Sequence, residues 1–237
     1  MTLPLTSWQT PPSHPELCAG VVHLWRFPLA CQESFDSLLN DEEIKRAGRL
    51  RAAEKSRDFV VARARLRQIL ASYLDVAPET LTFKYGPSGK PALEDSFTSS
   101  LAFNLSHSGC WGLCAVTSGA EVGVDIERLD RNLDYAKLAA RFFSESERDW
   151  LQAASSPRRR RQFFRLWTRK EAWLKGKGGG FSDPDQDLGP DPFAASSTCD
   201  GTWWLRSFPV ARNYLATLAL SQEFSLVQRW DAWPLSE

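Results

Sequence analysis

Hydrophobic and polar positions alternate in two different rhythms along this chain. Over residues 20–27 the step is two, with Val22, Leu24 and Arg26 opposing Val21, His23 and Trp25, which predicts a first strand. Residues 41–73 contain no proline and a single glycine, Gly48. There Phe59, Ala62, Leu66, Ile69, Leu70 and Tyr73 recur at three- and four-residue steps, as in one or two amphipathic helices. Residues 81–85 and 101–105 return to a strand pattern on either side of the turn-rich 86–91 segment. Two more strands, 111–117 and 121–127, are joined by Ser118-Gly119-Ala120. Residues 133–154 read as helical, Pro157 interrupts, and 158–175 form a further helix whose apolar positions include Phe163, Phe164, Leu166, Trp167, Ala172, Trp173 and Leu174. The glycines of 176–180 end it, 181–200 is a loop with five aspartates and no Lys or Arg, and 203–230 is strand-like again. Strand, helices, strands occurs twice, so the expected fold class is α+β, built of two similar halves that divide at 118/119 into residues 1–118 and 119–237.

Composition narrows the class. The 237 residues are 43% hydrophobic and 24% charged, and no apolar run reaches the roughly 18 residues of a membrane span. Lys plus Arg and Asp plus Glu are 29 each, so the chain lacks the cationic excess that nucleic-acid binding needs. Residues 1–17 hold four prolines and no basic segment followed by an apolar one, which predicts no secretory signal and a cytoplasmic location. The five cysteines, Cys18, Cys31, Cys110, Cys114 and Cys199, follow neither a disulfide nor a zinc spacing. Reduced thiols are expected, with Cys110 and Cys114 as small buried hydrophobes. Charge logic is local: residues 45–67 carry nine Lys or Arg against Glu54 and Asp58. That stretch is either a solvated helix face or an electropositive surface for a phosphorylated or acidic ligand.

Candidate chemistry concentrates in three stretches. In Val122-Gly-Val-Asp-Ile-Glu127, period two places Asp125 and Glu127 on one face, about 6–7 Å apart. They could share one hard cation, or form a solvated edge or ion pairs with arginines. On the helix 163–175, Trp167, Glu171 and Lys175 lie four apart on one stripe with Lys170 beside them. Glu171 and Lys175 are then either a surface pair or a third carboxylate with its cation. The polar turn after Phe103 presents Ser106 and His107, and Lys90 stands on the Gly89-Lys-Pro91 loop. All three could donate to phosphate oxygens, or simply sit on the surface. His14 and His23 lack such company and are expected to be structural. Arg158–Arg161 reads as a solvated helix start.

The order of these blocks resembles the 4′-phosphopantetheinyl transferase superfamily, of the surfactin-synthetase-activating type. Its two signatures stand as Gly123-Val-Asp-Ile-Glu127 and Trp167-Thr-Arg-Lys-Glu-Ala-Trp-Leu-Lys175. Between and before them stand Arg141-Phe-Phe-Ser144, Gly89-Lys-Pro91 and Asn104-Leu-Ser-His107. The resemblance implies two pseudo-symmetric α+β halves with coenzyme A and Mg2+ bound between them, in a chain expected to act as a monomer. The implied reaction moves 4′-phosphopantetheine from coenzyme A to a serine of an acyl or peptidyl carrier protein and releases adenosine 3′,5′-bisphosphate, as in holo-[acyl-carrier-protein] synthase. By the same resemblance Asp125, Glu127 and Glu171 hold the metal, Glu171 takes the serine proton and Lys175 serves the departing phosphate. Lys90, Pro91, Ser106, His107, Arg57 and Lys170 lie among the coenzyme A contacts, and Lys45, Arg46 and Arg49 compete for the 3′-phosphate. A carrier-binding module without catalysis and a Mg2+-dependent phosphoester hydrolase are the competing readings.

Overall fold

The computed structural model describes residues 5–31, 33–97, 99–129, 133–179, 187–189, 192–193 and 201–233. Strands β1 (Leu5–Gln9) and β2 (Val21–Pro28) lead into helices α1 (Asp41–Gly48) and α2 (Ala53–Leu74). Two hairpins follow, β3 (Phe83–Tyr85) with β4 (Pro91–Leu93) and β5 (Leu101–Ser108) with β6 (Trp111–Ser118). Strand β7 (Val122–Arg128) then precedes helices α3 (Tyr135–Phe142), α4 (Glu145–Ala153) and α5 (Ser156–Gly176). Strands β8 (Trp204–Ala211), β9 (Tyr214–Leu220) and β10 (Leu226–Asp231) close the chain's described part. The fold is α+β. The helix expected over 133–154 is two, because Phe143 takes an extended backbone and Ser144 caps α4. Most of the 181–200 loop, and Cys199, lie outside the described residues.

The strands form a five-stranded sheet in the order β1-β10-β2-β6-β5, a three-stranded sheet β7-β9-β8, and the β3-β4 ribbon. Strand β10 inserts between β1 and β2, parallel to both, so part of the second half in sequence belongs to the first half's sheet. The period-two pattern of β2 divides its side chains between two cores. Trp25 and Phe27 pack with Val61, Ala62, Leu66, Ile69 and Leu70 of α2, while Val22 and Leu24 pack with Val122, Val124, Ala216 and Leu218 of the three-stranded sheet. On that sheet's outer face lies α5, through Phe163, Leu166, Ala172 and Trp173. The layers run helix, sheet, sheet, helix, and the seam between the halves lies where β5 and β7 run side by side. Cys114 is buried as expected, but Cys110 is exposed, because it falls in the β5–β6 turn rather than in the strand.

The basic stretch is not one continuous surface. Arg63, Arg65 and Arg67 are buried. Arg67 reaches Glu43 at 2.8 Å and donates to the Leu81 carbonyl at 2.8 Å, and Arg63 approaches the same carboxylate at 3.4 Å. Arg65 pairs with Glu33 at 3.0 Å and lies over the rings of Phe35 and Trp233. Lys45, Arg46, Arg49, Arg51, Lys55 and Arg57 remain exposed. The second half repeats this device. Glu43 is the third residue of a helix capped by Asn40, and Glu147 is the third residue of a helix capped by Ser144. Each buried glutamate pairs with a cation of the long helix that follows, Glu43 with Arg67 and Glu147 with Lys170 at 2.8 Å.

Helix α5 meets β7 at Gly123. A Cβ there would lie 1.9 Å from the Ala172 carbonyl oxygen and 2.4 Å from the Gly176 nitrogen, both backbone atoms that cannot swing aside. Gly123→Ala is therefore expected to cost about 3 kcal/mol, at the upper end of overpacking penalties, measured by urea denaturation. It should also weaken any chemistry that needs α5 against β7.

Candidate active site

That close approach brings together side chains from three elements. With Val122, Val124 and Ile126 turned into the core between the sheets, Asp125 and Glu127 face the α5 side of β7. Helix periodicity puts Glu171 and Lys175 on one stripe of α5, over the same strand. The Lys175 ammonium donates to Asp125 Oδ1 at 2.6 Å and to Ser106 Oγ at 3.0 Å, and the Ser106 hydroxyl donates to the same Asp125 oxygen at 2.8 Å. From β5, Ser108 donates to Glu127 Oε2 at 2.6 Å. Asp125 is buried, while Glu127, Glu171 and Lys175 are half-buried.

Crowded negative charge governs the electrostatics. Burial pushes the Glu171 carboxyl up to about 7; Lys175 pulls it down, while Asp125 and Glu127 add to the rise. Burial also lifts Asp125 above the ordinary carboxylate range, against the pull of Lys175. For Lys175, burial works to lower the ammonium's pKa, but Asp125 and Glu171 together outweigh it and the net shift is upward. The site thus holds an ammonium that stays charged and a carboxylate poised to exchange a proton near neutrality.

The other residues expected from sequence are distributed as follows. Lys90 donates to Glu121 Oε2 at 2.7 Å and to the Gly176 carbonyl at 2.8 Å, tying the 86–91 loop to the end of α5, and Pro91 opens β4. His107 is exposed at the end of β5 and couples with Asp58 of α2, whose carboxyl is raised by burial and opposed by that imidazole. Arg57 and Asp58 line a cleft of about 590 Å3 with Glu54, Gly109, Cys110 and Arg128. A second cleft, of about 670 Å3, is lined by Lys45, Arg46, Arg49, Tyr85 and Gly89. Lys170 does not join the site. It is fully buried on Glu147, because successive helix residues differ by about 100° and Glu171 takes the face that looks onto β7. His23 is structural as expected, buried with its Nδ1 2.7 Å from the Tyr73 hydroxyl.

The sequence alone did not single out Ser108, and Asn104 stood there only as part of a motif, with no role. Asn104 Oδ1 accepts from the Val124 N–H at 2.9 Å, and Ser108 Oγ accepts from the Arg128 N–H at 3.2 Å. The signal was the polar period-two run Asn104, Ser106, Ser108, which marks one face of a strand whose neighbour needs hydrogen-bond partners.

The donor set fits a hard cation. Asp125 Oδ2 is buried without a hydrogen-bond partner, and every acidic donor nearby is a carboxylate oxygen. Among the described residues no three acids, histidines or cysteines stand close enough to enclose a metal by themselves. Mg2+ often takes only one or two protein carboxylates and completes its shell with water and substrate phosphate, which this arrangement allows.

An acid cluster with a fixed ammonium, at the seam of two α+β halves and near a cleft whose lining includes Arg57 and Arg128, suits a phosphate-bearing substrate. Residues 121–223 match the family described as the 4′-phosphopantetheinyl transferase superfamily, and residues 25–119 the family described as 4′-phosphopantetheinyl transferase, N-terminal. The 4′-phosphopantetheinyl transferase HetI of Nostoc sp. is 40% identical over 181 residues, which cover 74% of this chain and 76% of HetI. The 4′-phosphopantetheinyl transferase Sfp of Bacillus subtilis is 30% identical over 160 residues, 66% of this chain and 69% of Sfp. The chain belongs to the 4′-phosphopantetheinyl transferase superfamily, and transfer of the 4′-phosphopantetheinyl group is its reaction. Among the described residues no helix is long and apolar enough to cross a membrane.

Proposed function

We propose that the donor is coenzyme A, that the acceptor is a serine hydroxyl of acyl or peptidyl carrier proteins, and that the product beside the loaded carrier is adenosine 3′,5′-bisphosphate. This is the reaction of holo-[acyl-carrier-protein] synthase. The observation that carries the reading is the contact of Lys175 with Asp125 and Ser106, which joins α5, β7 and β5 in one charged cluster. Asp125, Glu127 and Glu171 supply the carboxylates from which Mg2+ would take one or two directly, with water and substrate phosphate completing its shell, and its chemistry is to neutralise charge on the pyrophosphate oxygens. The serine oxygen forms a bond to the phosphorus that bears the pantetheine arm, and the bond from that phosphorus to the bridging oxygen breaks. Glu171 accepts the serine proton, directly or through water, since a neutral hydroxyl is a poor nucleophile. Lys175 donates to the departing phosphate. Ser106, His107, Lys90 and Arg57 bind the substrate's phosphates, whereas Lys170 keeps its place with Glu147.

The halves divide this work, residues 1–118 supplying phosphate contacts and 119–237 the metal and catalytic groups, with β10 returning to the first half's sheet. A single chain that encloses its own site acts as a monomer. Incubated with coenzyme A and Mg2+, an apo carrier protein should gain the mass of one 4′-phosphopantetheine group while adenosine 3′,5′-bisphosphate accumulates in equal amount. No mass gain across a panel of acyl and peptidyl carriers sinks the reading, and free phosphopantetheine in its place points to hydrolysis.

A further inference from the structure

The seam between the halves is held by side chains acting as a second strand's backbone would. Strands β5 and β7 are edges of different sheets, yet their partners advance together: Asn104 with Val124, Ser106 with Asp125, Ser108 with Glu127 and Arg128. The two strands therefore run parallel. Asn104 and Ser108, four residues apart, accept from the N–H groups of Val124 and Arg128, also four apart, which fixes the register of β7 against β5. A slip of one residue would turn Asp125 and Glu127 into the core and Val124 and Ile126 out of it.

We infer that Ser108 is a positioning residue for Glu127. One hydroxyl does two things: it accepts from the Arg128 backbone at 3.2 Å, which fixes its own place, and it donates to Glu127 Oε2 at 2.6 Å, which orients that carboxylate. Ser108 is 7% exposed whereas Glu127 is half-buried at the mouth of the site, so the rigid partner sets the orientation of the freer one. Asp125 accepts from Lys175 and Ser106, and Glu127 accepts from Ser108.

The inference rests on Glu127 being a metal-binding carboxylate, so the experiment separates the two. Mn2+, a paramagnetic stand-in for Mg2+, is titrated into the full chain and free ion is counted by electron paramagnetic resonance, for wild type, Glu127→Gln, Ser108→Ala and Ser108→Thr. Thermal unfolding without metal is recorded alongside. The expected result is a 10- to 100-fold weaker Mn2+ affinity in Ser108→Ala, as for loss of a hydrogen bond behind a ligand. In the same variant kcat falls about 10-fold with little change in the KM for coenzyme A, and Ser108→Thr, which keeps the hydroxyl, recovers most of both. Wild-type Mn2+ affinity in Ser108→Ala, with Glu127→Gln impaired, overturns the positioning role and leaves the metal reading standing. Equal affinity in wild type and Glu127→Gln overturns both. If Ser108→Ala unfolds, failure of folded Ser108→Thr to bind Mn2+ as wild type does overturns the inference.

Discussion

Glu171→Gln is expected to lower kcat for carrier loading by about 10²- to 10⁴-fold while the protein stays folded, the range that removal of a general base produces. Glutamine keeps the shape of the side chain and its place on α5, so the KM for coenzyme A should move far less than kcat. What is lost is a carboxylate that can take a proton and bind the metal; in the metal-free chain, burial and the neighbouring Asp125 and Glu127 lift that carboxylate to about 7. A rate within threefold of wild type, measured in single-turnover transfer to an apo carrier, removes Glu171 from the proton transfer.

The same substitution should stabilise the metal-free protein at alkaline pH. Burial and the two neighbouring acids raise the Glu171 pKa in the folded chain above its unfolded value, so folding favours the protonated form. The associated stability is fully present below the unfolded carboxylate range and is lost as pH rises through about 7. Asp125 is shifted in the same direction. Thermal unfolding of the metal-free wild type should therefore show stability falling between pH 5 and pH 8, by about 1–3 kcal/mol for Glu171. Glu171→Gln should flatten that fall, and Mg2+ should oppose it in wild type. Identical pH profiles for the two proteins contradict the crowded-charge account of the site. A catalytic group that costs stability when ionised is the usual sign that its surroundings are arranged for chemistry rather than for folding.

Asp125, Glu127, Glu171 and Lys175 were legible because each lies on a regular element whose period fixes its face. Once Val122, Val124 and Ile126 are assigned to a core, the two acids have one side left. Glu171 and Lys175, four apart, share a stripe. Gly123 was quoted as part of a motif, yet its reason is a backbone contact with Ala172 that only the packed structure reveals. Strand β10 between β1 and β2 was not legible, since strand order is a long-range property that local alternation does not encode. β1 fell within the proline-rich start, where the pattern is weakest. Arg63, Arg65 and Arg67 read as surface charge because a run of cations defaults to solvent. Their burial depends on Glu43 and Glu33, which lie on other segments. Lys170 failed for a related reason: its neighbours in sequence face the site, and its partner Glu147 sits on α4.

That partner makes Lys170→Ala strongly destabilising. Lys170 and Glu147 are 0% and 1% exposed, and Glu147 Oε2 also accepts from the Ser144 N–H at 2.9 Å while Oε1 accepts from Leu188 N–H at 3.2 Å. The glutamate cannot leave, since it closes the cap of α4, so removing the ammonium strands a carboxylate in a dry interior. The expected loss is about 3–5 kcal/mol, measured by urea denaturation. Glu147→Gln alone should also destabilise by stranding the lysine. With Lys170→Met as the second single variant, the double variant Glu147→Gln with Lys170→Met should recover part of the loss, because two neutral groups of similar volume replace the pair and a coupling of the order of 2–3 kcal/mol appears in the cycle. The analogous pair of the first half, Glu43 with Arg67, should behave the same way, since each glutamate is a capping residue tied to the following long helix. Whatever folded Lys170→Ala protein remains should keep the wild-type KM for coenzyme A. A stable variant with a raised KM would instead return Lys170 to the substrate's phosphates, where the family resemblance places it.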